Sequence, residues 1–257
     1  MSEYVYHFDD SAMKRFSENF ECRIGDNSGY HEQEHFDKLH MLFCMNRNGS
    51  MLDVGAGMGR ITAVARDMVK EVVALEPDES RWADCHKAYH REPDCLVYNQ
   101  STDQYISENP GKRFNLIVVS MVLQHISTTL SRKLMSDVAT LLEPDGVAIV
   151  FTTHTLEKSK GFSFSGDNER VYVPEAEFNQ YAEAPPEDQH MGLPVRRFSK
   201  QDLIDTVEGA DLEPIFWRQA SYYRPEKVGF FAHRLNLEPE ELMNVGNSQF
   251  VVVQRRN

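Results

Sequence analysis

The sequence predicts an α/β fold: a seven-stranded, mostly parallel sheet with helices on both faces, an N-terminal helical cap and an inserted lid. Two observations predict it. Apolar runs alternate with helical patterns between residues 50 and 154, and the rhythm then breaks over 155–195 before resuming. Strands buried on both faces of a parallel sheet read as continuous apolar runs, because helices cover them on either side.

The strands expected in order are Met51–Val54, Glu71–Leu75, Cys95–Tyr98, Phe114–Ser120 and Val147–Thr153, followed after the break by 212–222 and Gln249–Gln254. Helices are expected at 60–69, 79–90 and 130–142. In the last of these, Leu130, Leu134, Val138, Leu141 and Leu142 recur at three- and four-residue spacing and share one face. Pro144-Asp145-Gly146 is expected to stop that helix and turn into the next strand. Ser199-Lys200-Gln201-Asp202 reads as a capping box ahead of an apolar stripe at Leu203, Ile204 and Val207. Residues 225–244 read as a second irregular excursion.

The whole chain reads as one domain: a helical cap over 1–47, a core over 48–154, a lid over 155–195 and the rest of the core sheet over 196–257. The lid carries Phe162, Phe164, Tyr172, Phe178 and Tyr181, which either line an apolar cavity or form the lid's own small core. Its eight acids against three Lys+Arg read as a solvated face or as a preference for a cationic substrate.

Composition sets the outer limits. The 257 residues hold 27 Lys+Arg against 40 Asp+Glu, and no stretch builds the dense basic face that phosphate contacts need. No nucleic-acid partner is therefore expected. No apolar run approaches the ~20 residues of a membrane helix, so no membrane partner is expected either. The N-terminal Met-Ser-Glu-Tyr-Val-Tyr-His lacks the pattern of a secretory signal, which points to a cytoplasmic protein. Cys22, Cys44, Cys85 and Cys95 form no C-x-x-C pair and read as reduced thiols. His31, His35 and His40 read as partly solvated helix residues, His86 and His90 as surface residues, and no metal site is expected.

The motif with chemical content is Met51-Leu52-Asp53-Val54-Gly55-Ala56-Gly57-Met58-Gly59-Arg60: a strand, a glycine-rich turn and a helix start. Glycine lets the backbone take barred conformations and lets a ligand approach closely. The spacing is G-x-G-x-G, and Arg60 stands where a dinucleotide fingerprint wants its third glycine. A tight β–α corner with no ligand is the competing reading of the glycines alone. Glu76 sharpens the reading: it ends the second strand 21 residues after Gly55, where a carboxylate can accept both hydroxyls of a ribose.

With these residues the chain resembles the class I S-adenosylmethionine (SAM)-dependent methyltransferases, which have a Rossmann-like sheet. The resemblance covers about 50–154, and 196–257 more weakly. It implies SAM as cofactor. Gly55, Ala56, Gly57 and Gly59 would line its methionine part, Asp53 would orient its amino group, and Glu76 with Pro77 would hold the ribose. Asn99, Gln100 and Ser101 would border the adenine, and Ser120 and Met121 would lie at the end of the fourth strand by the methyl group. Asn115 stands where an Asp is common.

Gly-Ala-Gly-Met-Gly-Arg-Ile-Thr and Val-Leu-Gln-His-Ile also resemble the α-N-terminal protein methyltransferases. That likeness implies that Arg60 binds the SAM carboxylate and that His125 sits near the nucleophile. The branch's Asp-Asn pair is replaced here by Thr152-Thr153, followed by His154. The replacement and the lid point to a small-molecule acceptor, methylated on O or N. His125 and His154 are the candidate catalytic residues, both just after strand ends at one edge. Histidine is the side chain whose ordinary pKa suits proton transfer near neutrality. Competing readings are a protein or peptide N-methyltransferase, and a SAM-binding sensor or cyclase on the same fold. The expected partner is the small acceptor, and the chain is expected as a monomer or homodimer.

Overall fold

A computed structural model describes residues 49–155, 161–165, 170–185, 188–220 and 248–256, with isolated positions at 229, 233, 238 and 239. The expected N-terminal cap, with His31, His35, His40, Cys22 and Cys44, lies outside the described residues, as does most of the 225–244 excursion.

Strands β1 (Ser50–Val54), β2 (Glu71–Leu75), β3 (Cys95–Tyr98), β4 (Phe114–Ser120), β5 (Leu142–Thr153), β9 (Leu212–Ala220) and β10 (Ser248–Arg255) form one sheet in the order β3-β2-β1-β4-β5-β10-β9. The first five are parallel, whereas β10 runs antiparallel to both neighbours. Val54, at the end of β1, pairs with Leu75 on one side and Val119 on the other. The carboxyl ends of β1, β2 and β4 therefore reach one edge together, and the order of strands reverses around β1. Ligands of open α/β sheets lie at such a switch point.

Helices α1 (Arg60–Ala65), α2 (Glu79–Tyr89), α3 (Thr102–Glu108), α4 (Thr128–Leu141) and α6 (Lys200–Glu208) follow strands of this sheet or lead into the next one. Successive strand residues point to opposite faces, and the core accordingly splits in two. Ile117, Val119, Ala148 and Val150 pack with Met135, Val138, Leu203 and Val207 on one face. Leu116, Val118 and Ile149 pack with Ile61, Ala65 and Cys85 on the other. Among the described residues no helix is long and apolar enough to cross a membrane.

Two local expectations are corrected, and one helix is added. Helix α1 ends at Ala65 rather than 69, because Met68 and Val69 turn back onto the Ala65 carbonyl and Lys70 bonds to Gly49 as the chain re-enters the sheet. Pro144-Asp145-Gly146 is not a turn ahead of a strand. Leu142 already pairs with Phe114, and the register shifts before Leu116. Gly146 passes so close to β4 that a Cβ there would stand 3.0 Å from the carbonyl oxygens of Phe114 and Asn115. Helix α3, between β3 and β4, has no counterpart in the sequence reading; its capping box is Ser101 and Gln104. The capping box at Ser199 and Asp202 forms as expected.

The lid is a small antiparallel sheet of β6 (Phe162–Ser165), β7 (Arg170–Tyr172) and β8 (Leu193–Arg196), ordered β7-β6-β8, with helix α5 (Glu175–Ala182) against it. Phe164, Phe178 and Tyr181 are buried together, with Phe162 packed beside them. Of the two readings of the lid aromatics, the structure gives these four to the lid's own core. Tyr172 is largely exposed.

Candidate functional site

The glycine turn after β1 has the backbone its composition demands. Gly57 has φ +58° and Gly59 φ +90°, conformations that side chains disfavour. A Cβ at Gly59 would collide with the Tyr89 ring. The Tyr89 hydroxyl donates to the Gly59 carbonyl at 3.0 Å and locks α2 against the turn. Ala56 is buried and donates its N–H to the Leu75 carbonyl, which joins the turn to the end of β2.

Glu76 stands at that junction with 2% exposure. Its carboxylate accepts from the Gly57 N–H at 2.7 Å and from the Asp78 N–H at 3.0 Å. Burial pushes its pKa up, while the Arg81 cation and the two amides pull it down. The Arg81 guanidinium packs against Gly57. A carboxylate has about four acceptor positions, so two amides leave room for further donors. Asn99, after β3, donates to the carbonyls of Glu76 and Pro77, both at 3.0 Å, and holds this corner in place.

Asp53 is buried and accepts from Thr62 Oγ1 at 2.7 Å, which ties α1 to β1. Burial raises its pKa to about 7, against the opposing pull of the Thr62 hydrogen bond. The folded state therefore holds this proton more tightly than the unfolded chain does. The stability contributed by the protonated form is complete below pH 3.8 and is lost as pH rises towards 7. Asp53→Asn, which can still accept from Thr62, is expected to gain roughly 4 kcal/mol relative to wild type between pH 4 and 8. Denaturant unfolding at those two pH values measures it; a difference that does not change with pH would show that Asp53 ionises normally.

At the end of β4, the Arg60 guanidinium donates to the Ser120 hydroxyl at 3.2 Å. Met121 follows with φ +58°. A left-handed non-glycine residue costs about 1–2 kcal/mol, and such strain clusters at functional sites. His125 lies four residues further on, in a short 3₁₀ turn, Leu123–His125. Its Nδ1 is 2.9 Å from the Pro194 carbonyl oxygen of the lid. A carbonyl can only accept, so Nδ1 carries the proton, and in the neutral ring Nε2 presents the lone pair. Burial lowers the His125 pKa to about 4; the Pro194 carbonyl opposes that shift and Arg81 adds to it. His125 is thus a neutral imidazole at physiological pH.

The fit to SAM can be judged from these residues. The glycines of the turn carry no side chains, and Val122, Arg81 and Tyr89 pack close against them; a buried carboxylate follows β2, and Arg60 pairs with Ser120 at the end of β4. A family model described as a methyltransferase domain matches residues 29–215. The chain belongs to the class I SAM-dependent methyltransferases.

Its cofactor is SAM, and it is an enzyme of this family. No curated protein matches the methyltransferase. Solved structures share its fold at low identity. A SAM-dependent methyltransferase from Clostridium acetobutylicum is 12% identical with a TM-score of 0.61, over 96% of this chain and 100% of the other. The 1,6-didemethyltoxoflavin-N1-methyltransferase of Burkholderia thailandensis, solved with 1,6-didemethyltoxoflavin and S-adenosylhomocysteine, is 18% identical with a TM-score of 0.59, over 96% and 87%. The cyclopropane synthase MmaA2 of Mycobacterium tuberculosis is 14% identical with a TM-score of 0.62, over 98% and 96%.

The remaining expected site residues of the methyltransferase are spread more widely. Ser101 is engaged in capping α3. Gln100 donates to Glu108 at 2.6 Å, with its Oε1 buried and unpartnered. His154 is 2% exposed, edge-on to Trp217 and bridged to Phe198. Burial lowers its pKa. The structure therefore packs His154 between β5 and the Phe198–Trp217 pair. Thr152 donates to Gln124 Oε1 at 3.1 Å, and Thr153 donates to the Arg196 carbonyl at 2.6 Å. Asn99, expected beside the adenine, is spent on the carbonyls of Glu76 and Pro77. Thr62 and Gln124 were given no role by sequence reasoning; Gln124 acts through Thr152, 28 residues away, and Thr62 through a side-chain bond to Asp53 that no residue pattern announces.

Proposed function

We propose that this methyltransferase methylates O or N of a small molecule, with His125 Nε2 as the proton acceptor. The observation that carries the reading is the Nδ1 contact to Pro194 in a ring held neutral, just beyond the β4 edge that bears Ser120 and Met121. Gly55, Ala56, Gly57 and Gly59 form the cofactor's cradle, with Asp53 bracing it. Arg60 and Ser120 take the carboxylate end, Glu76 and Pro77 the ribose, and Gln100 and Ser101 the adenine. Bound SAM supplies a methyl group made electrophilic by its positive sulfur. The protein's part is to align the acceptor and exclude water, which in well-oriented systems contributes about 7–11 kcal/mol. The acceptor's proton becomes acidic as its bond to the methyl forms, and His125 Nε2 takes it at that stage, because a ring with its pKa lowered to about 4 is a weaker base than an ordinary imidazole. His154, buried edge-on to Trp217, is assigned no proton-transfer step in this reading.

A peptide acceptor is disfavoured because Thr152 and Thr153 spend their hydroxyls on Gln124 and on a lid carbonyl. The test is release of S-adenosylhomocysteine against a panel of small phenols, alcohols and amines. Turnover with at least one is expected. SAM binding without turnover on any compound would move the protein to the cyclase or sensor class.

A further inference from the structure

The lid docks on the core through the segment that carries His125, and the contacts form a closed ring. Strand β8 is an edge of the lid sheet. Its Val195 carbonyl accepts from Ser163 Oγ at 3.1 Å, towards β6. The alternate carbonyls, Pro194 and Arg196, turn to the core and accept from His125 Nδ1 at 2.9 Å and Thr153 Oγ1 at 2.6 Å. Proline brings no N–H of its own, so this point of the edge offers the imidazole an acceptor alone.

A second clasp lies on α5. Asn179 Oδ1 accepts from the Thr128 N–H at 2.9 Å, and Asn179 Nδ2 donates to Thr128 Oγ1 at 2.7 Å. Thr128 is the first residue of α4, three residues after His125, and its N–H is one of the donors a helix start leaves unpaired. Two residues after Asn179 on α5, Tyr181 donates its hydroxyl proton to the Gly192 carbonyl and accepts from the Met191 N–H, both at 2.8 Å. Gly192 leads directly into β8. The ring runs from His125 to Thr128, across Asn179 into α5, through Tyr181 to Gly192, and by Pro194 back to His125.

We infer that Asn179 is a positioning residue for the methyl-transfer base: by clasping Thr128 it seats the lid so that the Pro194 carbonyl fixes His125 with Nε2 as acceptor. Lid docking is thereby a condition of turnover. The inference rests on the reading of His125 as the base, but its test separates the two.

The full-length enzyme is labelled with ¹⁵N-histidine and observed by NMR, alone and saturated with S-adenosylhomocysteine. His125 is assigned by the signals lost in His125→Gln. The wild type is expected to show an amine-type Nδ1 and an imine-type Nε2. Asn179→Ala should shift both signals towards the tautomer average. With an acceptor from the panel above, its kcat should fall about tenfold, with KM for SAM unchanged. Thr128→Val, which removes one bond of the clasp and leaves the backbone bond, should lie between, and Thr128→Ser should restore wild-type spectra and rates. This pair guards against a lid that fails to fold in Asn179→Ala. A wild-type Nε2–H tautomer, or an unchanged tautomer and kcat in both Asn179→Ala and Thr128→Val, would overturn the inference. Retained turnover in His125→Gln would remove the base reading while the spectra still report the clasp.

Discussion

His125→Gln should lower kcat by about a hundredfold or more and leave the SAM dissociation constant within about twofold. The glutamine amide can still donate to the Pro194 carbonyl, so the lid contact survives while the proton acceptor is lost. The pH profile gives an independent reading. The base is the neutral ring, whose pKa burial lowers to about 4. Activity limited by His125 should therefore stay flat from pH 8 down to about 5 and fall only near 4. An apparent pKa of 6 to 7 would place the ring in water during turnover. Normal kcat in the variant would leave alignment alone as the source of rate. Stability follows the same group: its contribution is complete above pH 6.5 and lost as pH falls towards 4. Asp53 runs in the opposite direction between 3.8 and 7. The two oppose each other over the mildly acidic range, so the wild-type stability curve carries only their difference.

The parts of the site legible in the sequence are those whose constraint is local. Gly57 and Gly59 announce themselves because a left-handed backbone and close neighbours exclude a side chain. Glu76 and His125 are found by their distance from strand ends, which a parallel sheet converts into a shared edge. The first five strands are legible because burial on both faces makes them continuously apolar. The lid was legible as an interruption but not as a sheet, since strands of three and four residues carry too little periodicity. Its aromatics were ambiguous because an apolar pocket and an apolar core have the same composition. Pro144-Asp145-Gly146 was misread because a turn signature also suits an irregular strand entry, and the choice is made by the passing backbone of β4. The clasp from Asn179 to Thr128 spans 51 residues and leaves no mark on either neighbourhood.

Glu76→Ala should raise the SAM dissociation constant at least about a hundredfold and lower stability as well. Two effects add. The variant strips the Gly57 and Asp78 amides of their acceptor, and a buried amide left unpaired costs about 1–3 kcal/mol. It also removes the carboxylate proposed for the ribose hydroxyls, and hydrogen bonds to a charged group contribute about 1.5–3 kcal/mol each. Calorimetric titration with SAM and thermal unfolding without it separate the two. Glu76→Gln keeps one carbonyl oxygen for one amide but turns an NH₂ towards the other, so it should fall between wild type and alanine in both measurements. Burial raises the wild-type carboxyl's pKa, and the ribose hydroxyls favour its ionised form. SAM affinity should therefore weaken as the solution is acidified through that raised value, and Glu76→Gln should lose this dependence. A variant that is less stable but binds SAM as tightly as wild type would reduce Glu76 to a brace for the glycine turn and shift the ribose contact to another group.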